Sequence, residues 1–338
     1  MKKSLVTLAV LAAFAGAASA QTNITIYGVA DAAISYKDNG AATNSKTWAV
    51  DSGQLSGSRL GFKGSEDLGG GLSAIFTLEN GYNIDDGSAA QGGLLFGRQA
   101  FVGLQGGFGA LKLGRQYNPI RVAVESIDPF RLGMGSWAGN VLSLYGERAN
   151  NTLNYTSANF GGFTGQLAYS FGENATGTSI GRQLGLSGAY ANGPFTAVLA
   201  YHNQNLANGT VPAQTDNGSA KTTLLGGTYN FGPATLHAAY AWDKGSPAAG
   251  PDNVDSRDWM LGVSAPVGAG TVLASYMKRD DRLAANKDVK QWALGYTYGL
   301  SKRTTAYALF NNTDRDNTPA AGSSTTNKQF SVGMRHTF

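Results

Sequence analysis

The chain of 338 residues contains no cysteine. It therefore has neither a disulfide framework nor thiolate metal sites, and its stability has another source. It is also poor in charge: 14% of its residues are charged, with 26 lysines and arginines against 22 acidic residues. Charge this balanced, without a basic block or an aromatic–basic cluster, indicates no nucleic-acid partner.

Histidine is scarce as well, since the chain has only three imidazoles, at His202, His237 and His336. None of them lies in a nucleophile motif such as Gly-x-Ser-x-Gly. The triple-glycine turn at 69–71 lacks the Lys-Ser/Thr pair of a phosphate-binding loop. We therefore expect no catalytic residue, no cofactor, no metal site and no enzymatic activity.

The first twenty residues have the three parts of a secretory signal peptide. Two lysines follow Met1, an apolar stretch runs from Leu5 to Ala15, and a small-residue site ends at Ala20. The apolar stretch is too short for a membrane helix, and no uncharged apolar run after residue 20 is long enough for one. The sequence thus predicts an exported protein with a cleaved signal peptide, 1–20, and one domain, 21–338.

Glycine and aromatic residues are abundant, with 47 glycines, 15 phenylalanines and 15 tyrosines. Glycine disfavours helices, whereas aromatic residues favour strands. Along most of the chain after residue 20 the hydrophobic period is two rather than 3.6, and in residues 183–190 the large apolar residues fall on even positions. Each such segment has one apolar and one polar face, which predicts an all-β fold.

Two kinds of connection alternate between the predicted strands. Seven are short and eight are long and polar, which separates sixteen strands between Ile24 and Phe338. Short periplasmic turns and long extracellular loops are typical of a 16-stranded antiparallel transmembrane β-barrel, the fold class we predict. The short turns are expected at 68–71, 106–109, 160–162, 192–194, 231–233, 267–270 and 299–302, and the long loops at 38–54, 83–95, 116–147, 173–181, 204–220, 244–255, 280–287 and 314–327.

A closed barrel of this size satisfies every backbone polar group in lipid and surrounds a water-filled lumen. A soluble secreted β-sandwich or β-solenoid would also have alternating apolar and polar residues and contain much glycine. The end of the chain favours the barrel, because it is an amphipathic strand that closes on an aromatic residue. Its apolar face carries Phe330, Val332, Met334, His336 and Phe338.

Several stretches resemble Gram-negative general porins of the betaproteobacterial type. The most recognisable is 56–72, Ser-Gly-Ser-Arg-Leu-Gly-Phe-Lys-Gly-Ser-Glu-Asp-Leu-Gly-Gly-Gly-Leu. The others are 24–31, 96–104, 113–117 and 334–338, so the resemblance runs from the first predicted strand to the last. It implies a homotrimeric channel of sixteen strands whose third long loop folds inward to narrow the pore. The loop at 116–147 is also the longest in the chain, which fits that role.

The second predicted strand contains candidate pore residues. Leu60 and Phe62 share one face of this strand, so Arg59 and Lys63 lie on the other. A charge facing lipid near the midplane would cost about 2–4 kcal/mol. We therefore expect Arg59 and Lys63 to face the lumen.

The resemblance implies a basic constriction, which carries over onto Arg59, Arg98 and Arg148. From the pattern alone, Arg148 points inward if its strand already begins at that residue. The pattern leaves the side of Arg98 open, and only the resemblance places it in the lumen.

Carboxylates are expected to oppose these arginines across the pore. Glu125 and Asp128 would supply them from the inward loop, and Glu79 faces the lumen by the parity of its own strand. Such clusters of fixed charge select ions electrostatically. Arg121 and Arg131 on the same loop would tilt the balance toward anions.

These expectations describe an outer-membrane porin, a water-filled channel for passive diffusion of ions and small hydrophilic solutes with weak anion selectivity. A substrate-specific channel or an adhesin on the same barrel is the alternative, because eight long loops offer surface for recognition. The expected partners are further copies of the chain in a homotrimer, outer-membrane lipids, lipopolysaccharide, and the barrel assembly machinery through Phe338. The expected location is the Gram-negative outer membrane, reached through the periplasm.

Overall fold

The computed structural model describes residues 23–40, 45–142, 147–211, 213–316 and 326–338. The predicted signal peptide, residues 1–20, lies outside them. In this part of the chain, no helix is both long and apolar enough to cross a membrane. Seventeen antiparallel strands form one sheet: β1 (Asn23–Asp38), β2 (Lys46–Ser52), β3 (Arg59–Gly69), β4 (Leu72–Gly81), β5 (Gln99–Gly106), β6 (Gly109–Tyr117), β7 (Arg148–Ser157), β8 (Phe163–Ser170), β9 (Gln183–Asn192), β10 (Phe195–Asn208), β11 (Thr215–Asn230), β12 (Thr235–Ser246), β13 (Val254–Val267), β14 (Gly270–Asp281), β15 (Val289–Gly299), β16 (Thr304–Arg315) and β17 (Thr326–Thr337).

The sheet closes through a long pairing between β1 and β17. Their register runs from Val29 opposite Thr337 to Asp38 opposite Lys328. Beyond this register, Gly28 and Phe338 exchange two backbone hydrogen bonds of 3.0 and 3.1 Å. This pairing joins the first and last strands of the sheet, as a barrel in lipid requires. The predicted antiparallel barrel is confirmed.

The wall is sixteen strands in circumference because β2 and β3 together occupy the place of one strand beside β1. β1 pairs with β3 along its first half and with β2 along its second half. The predicted count of sixteen is therefore confirmed, although the predicted loop at 38–54 is too long. Residues 46–52 are strand because Trp48 and Val50 alternate with other side chains and stay exposed, at 70% and 55%.

A buried carboxylate holds residues 53–58, which leave the wall between β2 and β3. Asp31 on β1 accepts hydrogen bonds from the backbone N–H groups of Leu55 (3.1 Å) and Ser56 (2.7 Å). It also accepts one from the hydroxyl of Tyr307. Hydrogen bonds to an ionised acceptor are about twice as strong as neutral ones. Residues 53–58 are therefore fixed against the inner surface, and we call them the inward bend.

The strands on one side of the barrel are longer than the bilayer requires and extend beyond it. β10 has 14 residues and β11 has 16, whereas about 9–11 residues are enough to cross a bilayer. The predicted loop at 204–220 is therefore too long, because β10 continues to Asn208 and β11 begins at Thr215. Those residues are polar because their strands stand in water, where both faces of a strand are solvated.

The third long loop folds into the barrel, as the resemblance implies. A single helical turn, α1 (Ala90–Gly93), belongs to the second loop, and α2 (Pro119–Ile127) opens the third. Proline suits the first position of a helix, and apolar residues recur along α2 at spacings of four and three, which places them on one face. That face packs on apolar side chains of the inner wall. Ile120, Val124 and Ile127 form one buried cluster with Val198, Leu224, Met260 and Met277.

Polar side chains of the wall hold the tip of this loop, where Met134–Ser136 and Ala138–Asn140 form 3-10 turns. Gln291 on β15 is fully buried, donates to the carbonyl of Ser136 (3.2 Å) and accepts from the amide of Asn140 (2.7 Å). The side chains of Asn311 and Arg279 donate to loop carbonyls further along the wall. The loop is thus attached by an apolar face and by hydrogen bonds.

Replacing Gln291 by alanine tests this attachment. The change removes two hydrogen bonds, each contributing about 0.5–1.5 kcal/mol, so amide protection at the loop tip should fall about tenfold. Hydrogen–deuterium exchange of the peptide covering residues 134–142 measures the effect. Gln105→Ala, at an exposed glutamine on β5, is the matched control and should leave this peptide unchanged. Equal exchange in the two variants would contradict the role given to Gln291.

Candidate functional site

A cavity of about 600 Å³ lies between the third loop and the wall formed by the early strands. It is bounded by the inward bend, by the end of β6, by the start of β7 and by α2. Its charged lining consists of five arginines and three glutamates. These are Arg59, Arg98, Arg121, Arg131, Arg148, Glu79, Glu125 and Glu147. We call this space the constriction cavity.

On the wall side, Glu79 is the centre of a buried ion-pair group. Its carboxylate lies 2.8 Å from Nε of Arg98 and 3.8 Å from Nε of Arg59. It also accepts a 2.9 Å hydrogen bond from the hydroxyl of Tyr27. β4 presents Glu79 to the lumen. Arg98 immediately precedes β5, the strand that pairs with β4. The group fixes both guanidinium groups at the edge of the cavity.

On the loop side, Tyr117 at the end of β6 gathers three arginines. The guanidinium carbon of Arg121 lies 3.9 Å from its ring centroid, that of Arg148 4.7 Å and that of Arg98 6.0 Å. Its hydroxyl accepts hydrogen bonds from Arg98 (2.7 Å) and Arg148 (3.4 Å). Cation–π attraction contributes about 0.5–2 kcal/mol per pair, and here it offsets repulsion among like charges.

The two remaining glutamates lie among these arginines. Glu125 pairs with Arg121 one turn earlier on α2, a spacing that brings side chains together on a helix. Glu147 lies 2.5 Å from Arg148 and 3.8 Å from Arg121. The glutamates are thus interleaved with the arginines and do not form a separate acidic face opposite them.

Five of the seven residues singled out in the sequence come together in this cavity. β7 begins at Arg148, which meets the condition on which its inward placement depended. The five are Arg59, Arg98, Arg148, Glu79 and Glu125.

Lys63 and Asp128 lie outside the constriction cavity. Lys63 projects from β3 nearer the turn end, with its ammonium 5.3 Å from the ring centroid of Tyr27. Asp128 is buried and accepts hydrogen bonds from the backbone N–H groups of Phe130 (3.0 Å) and Leu132 (2.8 Å). Burial raises the pKa of this carboxyl to about 6. Asp128 therefore shapes the chain after α2 and does not face the pore.

Sequence reasoning missed Tyr117 as a positioning residue, although it closes the recognised stretch 113–117. Arg115 in the same stretch points elsewhere, because a register shift follows Gly114. Its guanidinium donates to the carbonyl of Gly97 (2.7 Å) and to Asn150 (2.5 Å). Among the described residues, no group of three or more histidines and carboxylates is arranged to hold a metal ion.

A model of Gram-negative porins matches residues 7–318. The chain is 40% identical to outer membrane porin protein 32 of Delftia acidovorans, over the full length of both chains. It is 35% identical to an outer membrane porin protein of Bordetella pertussis, covering 91% of this chain and 93% of that one.

Solved structures are similar as well. The anion-selective porin from Comamonas acidovorans is 32% identical and has a TM-score of 0.80, covering 94% of this chain and 100% of that one. The trimer form of the outer membrane protein OmpT of Vibrio cholerae is 16% identical, covers 94% of this chain and 99% of its own, and shares the fold with a TM-score of 0.67. The family and the outer-membrane location expected from the sequence are confirmed, and they point to a channel protein rather than an enzyme. The chain belongs to the Gram-negative porin family, whose β-barrels form channels across the outer membrane.

Proposed function

We propose that this porin lets ions and small hydrophilic solutes diffuse passively and favours anions. The observation that carries the proposal is the charge of the constriction cavity, where five arginines face three glutamates. Arginine keeps its charge at every physiological pH. Fixed charge of one sign in a narrow space with low-dielectric walls raises the local concentration of the opposite ion. The Comamonas acidovorans porin, described as anion-selective, supports the same direction.

Arg59, Arg98 and Arg148 form the selective part of the cavity in this proposal, with Glu79 and Glu125 tuning it. The glutamates neutralise some guanidinium groups more than others. Arg98 has a close carboxylate partner, whereas Arg59 is 3.8 Å from Glu79. Arg59 therefore offers a larger share of its charge to a passing ion.

Lys63 and Asp128 take different roles in the proposal. Lys63 extends the basic lining from the constriction toward the turn rim, where it attracts anions without touching the narrowest part. Asp128 is a structural residue of the loop, because its carboxylate is buried against backbone N–H groups. Its charge is directed at these N–H groups and away from the constriction cavity, which Asp128 does not line.

We also propose that the channel is a homotrimer whose subunits meet along the short side of the barrel. β5 and β8 have only 8 residues each, fewer than the roughly 9–11 needed to span the bilayer. The outer face there is apolar, with Val102 58% and Leu113 54% exposed in the single chain. Neighbouring subunits would cover this low wall. The related OmpT fold has a trimer form.

Lipids and the assembly machinery complete the proposed partners. Exposed Trp48, Trp242 and Trp292 suit the membrane interface. Lys46 and Lys328 flank Asp38 at the loop end of β1, where lipopolysaccharide phosphates would lie. Phe338, 47% exposed at the end of the closing strand, is the residue proposed to engage the barrel assembly machinery.

Replacing Arg59 and Arg148 together by glutamine tests the selective cluster. The cavity then holds three arginines against three glutamates, so the anion-to-cation permeability ratio should fall by about threefold or more. The reversal potential of purified channels in a planar bilayer under a potassium chloride gradient measures it. A double variant of Arg257 and Arg303, which do not line the cavity, controls for total charge. An equal shift in both double variants would refute the cluster.

Replacing Glu79 by glutamine should move selectivity the other way. One negative charge is lost from the cavity, so the reversal potential should shift further toward anions. Breaking a buried ion pair also costs about 3–5 kcal/mol, so the barrel should unfold at a lower temperature in detergent. Glu66→Gln, on the same hairpin but outside the cavity, should change neither quantity. A Glu79 variant with unaltered selectivity would show that this carboxylate is not part of the constriction.

The subunit arrangement is tested by light scattering in detergent. The purified protein should have three times the mass of one chain. Val102→Arg on β5 should lower this mass, because the charge would lie in the proposed interface. Leu261→Arg, equally exposed on β13, should leave the trimer intact. A wild-type mass of one chain would contradict the proposal.

A further inference from the structure

A second cavity adjoins the constriction cavity toward the periplasmic turns. Its volume is about 480 Å³, and it is lined by residues of the β13–β14 turn and by the start of β16. Ser56, Arg59, Glu125 and Arg131 line both cavities, so the two spaces share one boundary. We call this second space the lower cavity. An ion that leaves the constriction toward the periplasm enters it.

Arg335 on β17 lines the lower cavity, and the neighbouring Asp31 attracts its charge. Its register partner on β1 is Asp31, but that carboxylate is occupied by two backbone N–H groups and by Tyr307. The guanidinium of Arg335 makes one long hydrogen bond, 3.5 Å, to the hydroxyl of Thr305. Its Nε is buried without a hydrogen-bond partner. The chain thus supplies a positive charge at this place, while the buried Nε is shielded from the cavity.

Arg59 and Arg131 add two further positive charges at the shared boundary. Glu125 is the one carboxylate among the residues that line the lower cavity, and it is paired with Arg121. Arg131 is exposed and has a positive φ of 51°, a left-handed conformation that non-glycine residues rarely adopt. The lining of the lower cavity thus has three arginines and one carboxylate, while Glu79 lies 3.8 Å from Arg59 and Asp31 and Asp128 attract Arg335 and Arg131 from outside the lining.

Hydroxyl groups complete the lining on the side of the barrel wall. Thr271 and Thr297 are register partners on β14 and β15, and Thr305 is the register partner of Arg335. Hydroxyls can donate to an anion in any orientation that the ligand requires. A site with several guanidinium and hydroxyl donors suits a ligand with several acceptor oxygens better than chloride, which has none.

We propose that Arg59, Arg131 and Arg335, with the threonine hydroxyls, form a second anion site in the lower cavity that binds small divalent oxyanions such as inorganic phosphate. The inference rests on the proposed anion preference and adds Arg335 to the residues that produce it. Conduction needs sites that bind favourably enough to admit an ion and are close enough to pass it on. The shared boundary lets an anion move from the constriction to Arg335 without losing contact with Arg59 or Arg131.

Chloride current in the presence of inorganic phosphate at pH 8 tests this site. In wild-type trimers, phosphate added to each chamber in turn should reduce the chloride conductance saturably, and more effectively from the periplasmic side. Arg335→Gln should raise the half-blocking concentration on that side about fivefold or more, and Arg335→Lys should give an intermediate value. Arg303→Gln, at an arginine in a nearby periplasmic turn outside both cavities, is the control and should match wild type.

Two outcomes would overturn the lower site. One is an equal loss of block in the Arg335 and Arg303 variants, which would indicate only a general surface charge. The other is an anion-selective channel in which phosphate blocks the Arg335→Gln variant as effectively as it blocks the wild type. A wild-type channel without anion preference would instead refute the proposed selectivity. Heat stability of each trimer in detergent excludes misfolding as the cause of a change.

Discussion

The pairing of β1 with β17 is the constraint on which the rest of this molecule depends. In lipid an unpaired strand edge would leave a row of backbone polar groups without partners, so the sheet is stable only when it is complete. The paired residues are about 300 positions apart in the chain. Closure is therefore a non-local contact, and the segments inside the barrel are positioned by a frame that local sequence does not determine.

Within that frame, two segments leave the wall and determine the shape of the lumen. The inward bend is held by Asp31, and the third loop is held by its apolar helix face and by Gln291. The third loop brings Arg121 and Arg131 to the arginines of the wall, and Tyr117 and Glu79 hold the arginines around them in fixed positions. The positions of the positive charges in the constriction thus depend on Tyr117 and Glu79, which carry no positive charge themselves.

The sequence was sufficient for the fold class and the strand count, and five of its seven candidate pore residues line the constriction cavity. Alternation of period two and the sequence of short and long connections specify a barrel, and strand parity predicted that Arg59 and Glu79 face the lumen, where both line the constriction cavity. Asp128 was expected in the pore because it lies on the inward loop, but it turns to backbone N–H groups of that loop, and no periodicity of the sequence reports this. The range 204–220 was misjudged because strands standing in water are as polar as loops, and 46–52 because a strand of seven residues is too short to show a clear alternation. Tyr117 was missed because its role exists only once three distant arginines surround it.

The apolar patch beneath α2 has a consequence for how the channel operates. A water-filled lumen would be expected to have a polar wall throughout, yet Ile120, Val124 and Ile127 are buried against wall residues as in a soluble core. Exposing these three side chains would cost about 1.5–3 kcal/mol each, so a swung-out loop would be rarer than about one molecule in a thousand. This packing therefore stabilises the inward position of the loop, and the width of the bore is part of the folded structure in the same way as a hydrophobic core.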